Sequence, residues 1–356
     1  MSEGAYARAG VDASRADRAV AGLVEVLRSI DPGRPSRQTV GPGHYAAVIA
    51  LDKRLGVALS TDGVGTKVIV AQEVGRLDSV GVDCVAMNVN DVICVGATPL
   101  AVLDYLAVEE ADPERLRELG EGLRRGAEQA GVEIPGGELA QLPELLRGHP
   151  SPRGFDLVGS CFGTVHLDRV VTGSRVEPGD AIIGLPSSGI HSNGLTLARR
   201  ALPDVHERPS ELGGRPVGEE LLEPTTIYVR AVLDLLEADD VDVRGLAHIT
   251  SGGLLNLLRL GAGVGYRVDQ PLPRPAVFDL IAERSGTPEA ELQEVFNLGC
   301  GFSAIVPAEH ADAAVERLTR RHPGTALIGT VTDRAGLVEL TAAGLEGRAA
   351  GGFRPA

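Results

Sequence analysis

An acid, two glycines, a hydroxyl and a cation follow one another in Asp62-Gly63-Val64-Gly65-Thr66-Lys67, directly after the apolar run of residues 56–59. Glycine lets main-chain amides come close to a phosphate, and lysine adds a point charge. A carboxylate at Asp62 suits Mg²⁺, a hard cation that takes oxygen ligands and often bridges carboxylate and phosphate. The same residues also suit a tight turn with a solvated Asp and Lys. A second acid, Asp91, stands with Asn88 and Asn90 in a segment of helical period. Asn88 and Asp91, three apart, share a face distinct from the apolar one. They read either as a hydrated helix face or as a second carboxylate meeting the first over a metal–phosphate centre. Pro135-Gly136-Gly137-Glu138 is a further Gly-rich turn with a carboxylate.

Three more junctions carry small polar residues. Ser187-Ser188-Gly189-Ile190-His191-Ser192-Asn193-Gly194 lies between an apolar run and a helical segment. Free amides and hydroxyls there suit an anion, aided by the helix dipole. His191 is the titratable group of this loop and suits proton transfer; a capping loop with a surface His is the plainer alternative. Thr250-Ser251-Gly252-Gly253 follows a strand-like run that carries His248, and Asn297-Leu298-Gly299-Cys300-Gly301 is another turn into a strand.

The elements that must position these groups follow from period. Alternation or short apolar runs predict strands at 46–51, 56–61, 100–107, 132–134, 156–165, 181–185, 246–249, 302–306, 326–331 and 337–340. Helical spacing predicts helices over 13–30 (one amphipathic helix, with Ala19, Val20, Leu23, Val24 and Leu27 as its apolar stripe) and 81–95. Another runs from the Asp112-Pro113 start to Gly131. Further helices are expected after Gly194, from 223, after 253, at 276–284 and 288–296, and through Ala314 and Leu318. The final GGFRPA is expected to fray. Strands alternating with helices in both halves predict two α/β domains, 1–170 and 171–356, with Gly-rich junctions where ligands settle in such folds.

With 356 residues and 43% hydrophobic residues, the chain can build two cores. A net charge of -15 argues against nucleic acid or an anionic membrane as partner. No apolar run is long enough to span a bilayer, and the start lacks a signal-peptide pattern. Cys84, Cys94, Cys161 and Cys300 are scattered in apolar surroundings, as expected of buried, reduced thiols in a cytoplasmic protein.

Taken together, these segments resemble the phosphoribosylformylglycinamidine cyclo-ligase (aminoimidazole ribonucleotide synthetase) family. The resemblance begins at Tyr6-Ala7-Arg8-Ala9-Gly10-Val11-Asp12 and continues through the 62–67 motif and residues 81–105 (GVDCVAMNVNDVICVGATPLAVLDY). It extends over SSGIHSNG at 187–194, LEPTTIYV at 222–229, AHIT at 247–250 and FNLG at 296–299. The resemblance implies an enzyme that uses ATP and Mg²⁺ to close the imidazole ring of a small ribonucleotide. It implies a homodimer whose N-terminal sheet-plus-helices domains form a shared barrel, with a C-terminal α/β layered domain over the substrate. By the same resemblance, Asp62, Asp91 and Glu138 are the expected metal ligands. Residues Gly63, Val64, Gly65, Thr66, Lys67, Asn88, Gly136 and Gly137 join them around the nucleotide. Ser187, Ser188, Gly189, Ser192, Asn193, Thr225, His248, Thr250, Gly252 and Asn297 are the expected substrate contacts. His191, Asp91 and Lys67 are the expected catalytic groups.

Three segments depart from the family pattern. Gln141 replaces an acid after Gly136-Gly137-Glu138, the 250–257 segment lacks an acid and has its Asn shifted to Asn256, and the early Gly-rich stretch is reduced to Gly41-Pro42-Gly43-His44-Tyr45. The departures leave two alternatives open: a related phosphotransferase acting on another small molecule, and a nucleotide-binding paralogue without catalysis.

Overall fold

The computed structural model describes residues 13–261 and 263–356; the 6–12 motif lies outside them. Two sheets account for the strands. The first contains β1 (Gln38–Val40), β2 (Ala47–Ala50), β3 (Leu55–Gly63), β4 (Thr98–Val108), β5 (Glu133–Gln141) and β6 (Phe155–His166), in the order β1-β2-β3-β6-β4-β5. On β6, Phe155, Leu157, Cys161 and Val165 are buried while Asp156, Ser160, Phe162 and His166 are exposed, as period 2 requires. The buried face lies under the helix Asp78–Ile93, which is itself backed by the helix Pro113–Ala130. These helices approach backbone to backbone: a Cβ on Gly122 would stand 1.9 Å from the Asp78 carbonyl oxygen. Asp112 caps the second helix by accepting from the amides of Glu114 and Arg115.

The second sheet contains β7 (Ala181–Pro186), β8 (Gly245–His248), β9 (Gly265–Val268), β10 (Cys300–Val306), β11 (Ala326–Thr332), β12 (Val338–Leu340), β13 (Leu345–Arg348) and β14 (Gly352–Pro355). Its order is β14-β13-β12-β9-β11-β7-β10-β8. Every residue of β10 is buried, and each large apolar side chain so placed contributes about 1.5–3 kcal/mol. Only the β4–β5 and β9–β12 pairs are parallel; the other ladders are antiparallel. All four cysteines are buried and free.

Five local expectations are corrected. Residues 135–138 are not a turn but lie inside β5, because β4 supplies partners as far as Gln141. Residues 223–228 are not helical; the helix begins at Val229, because amides of this segment bond to distant side chains. The expected helix after 253 is a 3₁₀ segment, Gly253–Leu260. The C-terminus does not fray: β14 pairs with β13 and buries Phe353. In the first helix, Ala13–Arg28, the apolar stripe is uncovered, with Val20 57% and Leu23 59% exposed.

Candidate functional site

The two halves of the chain meet over the helix Asp78–Ile93. Asp62 stands near the end of β3 on the face toward this helix, in register with Gly159, which lies against Asn88 and Cys84. The turn after it needs Gly65, whose φ is +68°. Asp91 comes from the last turn of the helix, and Ser60 Oγ donates to its Oδ2 at 3.5 Å. From the other half, His248 at the end of β8 places Nδ1 2.9 Å from Asp91 Oδ1. His248 is fully buried and its Nε2 has no partner among the described residues. Burial, and then the charge of Asp91, push the Asp62 carboxyl above the usual carboxylate range. Two acids on separate elements therefore share one electrostatic environment, closed from above by an imidazole.

Asn88 is fully buried and braces this arrangement by donating to the carbonyls of Asp62 (3.2 Å) and Cys84 (2.9 Å). In the glycine turn, the Gly63 amide bonds to Asp62 Oδ1 and the Val64 amide to the Leu157 carbonyl. Gly65 and Thr66 then lead into the helix Lys67–Val74. Thr66 Oγ1 lies 3.1 Å from Thr196 Oγ1 of the other half.

Lys67 departs from its expected place. Its side chain is fully buried, 2.8 Å from Asp83 Oδ2, and it donates to Asp83 Oδ1 (3.0 Å) and to the Glu223 carbonyl (2.7 Å). With no exposed side-chain surface and its ammonium held between Asp83 and the Glu223 carbonyl, Lys67 does not face an open phosphate site. Glu138 also departs from its expected place. It is exposed, pairs with Tyr105 on the sheet face turned away from the helices, and is separated from β3 by β6 and β4. At the usual spacing of neighbouring strands this is roughly 14 Å, so Glu138 does not join Asp62 and Asp91 within one chain. Gly136, Gly137 and Gln141 share that exposed edge strand. Among the described residues, no group of three or more His, Cys, Asp or Glu side chains converges on a metal-sized site.

The 187–194 loop is tied down from below. Asn297 accepts from Ser187 Oγ (2.8 Å) and the Gly299 amide (2.9 Å), and donates to the Gly189 and Ile190 carbonyls. His191 sits at φ +62°. Its Nε2 accepts from the amides of Ser188 (3.2 Å) and Thr226 (3.4 Å). Burial, reinforced by the nearby His248 and Lys67, holds its pKa well below the ordinary histidine value. A neutral ring with both bonds on Nε2 carries its proton on Nδ1, which makes His191 a donor at that atom. Ser192 and Asn193 are half-buried on the same loop, and Ser192 Oγ lies 3.5 Å from Thr225 Oγ1. Thr225 is buried against Asp83, so its hydroxyl is taken up inside the protein. The Thr250 amide and hydroxyl both bond to Asn256, which also holds the Ser251 carbonyl. The shifted Asn of this segment thus braces the turn that contains Gly252. A 390 Å³ cavity walled by Leu254, Leu272, Leu298 and Ile328 lies beneath Asn297 and includes neither Asp62 nor Asp91.

Sequence reasoning missed Asp83, Arg259 and His44 as neighbours of the site. Asp83 differs from other helix acids through its buried contacts with Lys67 and Thr225, which no sequence spacing reports. Arg259 lies over the Tyr45 ring at 4.1 Å and donates to the Gly43 and His44 carbonyls. Burial, then the Arg259 charge, lower the His44 pKa to about 4. The unfolded chain therefore takes up this proton first as pH falls, and stability is lost from about pH 6.5 down through the folded value. Without added divalent cation, His44→Gln is expected to remove about 2 kcal/mol of the stability difference between pH 8 and pH 5. Urea unfolding at both pH values checks this; an unchanged acid slope contradicts it.

Residues 43–165 match the model of the AIR synthase related protein N-terminal domain, and residues 177–340 match that of its C-terminal domain. The chain is 50% identical over 341 residues to a phosphoribosylformylglycinamidine cyclo-ligase of Methanopyrus kandleri, covering 95% of this chain and 97% of that protein. It is 46% identical over 335 residues to the protein of the same name from Thermococcus gammatolerans, covering 93% and 96%. Among solved structures, the hydrogenase maturation protein HypE in complex with ATP shares the fold, with a TM-score of 0.60 at 24% identity over 86% of each chain. A thiamine-monophosphate kinase from Stenotrophomonas maltophilia K279a does so with a TM-score of 0.60 at 19% identity, over 86% of this chain and 91% of that one. Matched along both halves and nearly half identical to these relatives, the chain belongs to the AIR synthase related family, as a member of its phosphoribosylformylglycinamidine cyclo-ligases.

Proposed function

We propose that the chain performs the reaction for which its relatives are named, the ATP-dependent ring closure of formylglycinamidine ribonucleotide to aminoimidazole ribonucleotide, where Asp62, Asp91 and His248 meet. The observation that carries this reading is the convergence of two carboxylates from one half with a buried histidine from the other. When bound, ATP supplies the phosphoryl group that turns the amide oxygen into a good leaving group. The chain's own residues supply position and charge. Asp62 and Asp91 offer hard oxygen ligands to Mg²⁺, a fit supported by two neighbouring acids of which one is pushed toward protonation when no cation is near. Asp91 and His248, joined through Nδ1, would fix each other's orientation at the site where the halves meet. The N-terminus of the helix Lys67–Val74 would hold nucleotide phosphate, and Ser187, Ser188, Ser192 and Asn193 would line the ribonucleotide side. Release of ADP from ATP, measured with and without formylglycinamidine ribonucleotide, tests the proposal. Substrate-dependent release is expected; no response to this substrate overturns it.

We also propose that the open face of the first sheet is covered by a second copy of the chain. Leu59, Leu103, Tyr105 and Phe162 lie on that face, from 39% to 51% exposed. Glu138 belongs to the same face. An apolar sheet face of this breadth is costly to leave in water. Phe162→Glu is expected to convert a dimer to a monomer in light scattering after size exclusion; a monomeric parent protein contradicts the proposal.

A further inference from the structure

The segment of residues 223–228 has no regular secondary structure although its sequence reads as a helix start, and many of its polar groups are held by named side chains. Asp83, on the helix under the first sheet, accepts at Oδ1 from the Thr225 amide (2.7 Å), the Thr225 hydroxyl (2.6 Å) and the Lys67 ammonium (3.0 Å). Lys67 reaches across to the Glu223 carbonyl. Asn90, two turns further along the same helix, donates to the Thr226 carbonyl (2.8 Å) and accepts from the Tyr228 amide (3.0 Å). On its other side the segment faces the 187–194 loop. Ser188 Oγ donates to the Pro224 carbonyl, and the Thr226 amide donates to His191 Nε2. Tyr228 closes the row, its hydroxyl donating to the Pro186 carbonyl. A Cβ at Gly301 would stand 2.1 Å from that hydroxyl and 2.6 Å from His191 Cε1, so there is no slack beneath it.

We infer that Lys67 and Asp83 are positioning residues: their buried pair is an interdomain clamp that fixes the 223–228 segment and, through it, the orientation of His191 in the substrate loop. The pair touches no ligand. It fixes two backbone groups and one hydroxyl of a segment with no secondary structure of its own. Removing two charges from water is expensive, and a buried pair is weak as a net source of stability. What this pair supplies is one conformation of a connecting segment. The inference deepens the functional proposal above and rests on it for its kinetic part.

Two variants test it. Lys67→Met with Asp83→Leu removes both charges together, so no unpaired charge is left buried. Thr225→Val is milder and deletes only the hydroxyl contact. Amide hydrogen exchange over 223–228 does not depend on turnover. Protection there is expected to fall at least tenfold in the double variant and several-fold in Thr225→Val, while the core strand β10 keeps its protection. In the ADP-release assay, kcat is expected to fall 10- to 100-fold in the double variant with the KM for ATP within about twofold of the parent. Thr225→Val is expected to show a smaller fall of the same kind. Exchange unchanged in both variants overturns the clamp. A KM for ATP raised tenfold or more at unchanged kcat overturns it in favour of Lys67 as a phosphate ligand. If the parent protein shows the expected protection but no substrate-dependent turnover, the functional proposal fails and the exchange result still decides the clamp.

Discussion

Asp91→Asn is expected to lower kcat about 10³-fold, a loss of about 4 kcal/mol of transition-state stabilisation, and to leave the fold in place. The size follows from the two jobs that one carboxylate holds. Its Oδ1 fixes the His248 ring at 2.9 Å, and its Oδ2 faces Ser60 and the neighbourhood of Asp62. Asn keeps an acceptor for the histidine but loses the charge that a divalent ion and a nucleotide tail require. It also brings an amide donor that can point the wrong way. The side chain is 17% exposed and no apolar packing changes, so stability is expected to stay within about 1 kcal/mol. Substrate-dependent ADP release and urea unfolding, run side by side, separate the two effects. Activity within tenfold of the parent removes Asp91 from the site.

Local patterns reported local structure well. The apolar run of residues 56–59 and the helical spacing after Gly81 put Asp62 at a strand's end and Asp91 on a helix; β3 runs on through Asp62 to Gly63, and the helix Asp78–Ile93 carries Asp91. The failures share a cause. Gly136-Gly137 reads as a turn because glycine permits one, yet pairing with β4 makes it strand. Pro224 reads as a helix start, yet Asp83, Asn90 and His191 take the amides that a helix would have used. The Asp91–His248 contact spans 157 positions, and no spacing rule reaches that far. Where a residue's role depends on a partner from the other half, the sequence named the residue but not the role: His191 was legible as a special histidine, not as a neutral one.

Lys67 is the sharpest case, and it leads to the second large effect. A lysine after a glycine turn looks like a phosphate ligand, but here both members of its ion pair have no exposed side-chain surface. Lys67→Met alone is expected to destabilise the protein by about 3–5 kcal/mol, because Asp83 is left charged in the interior with only Thr225 as donor. Methionine matches the lysine stem in length, so lost packing accounts for little of this. The comparison with the double variant decides the cause. If the cost is the stranded charge, adding Asp83→Leu recovers much of the loss, and the double-mutant cycle shows strong coupling of the two sites. If the cost is a cavity, the two substitutions add. A single variant as stable as its parent in urea means that Asp83 finds water or another cation, and the buried pair then has no hold on the segment above it.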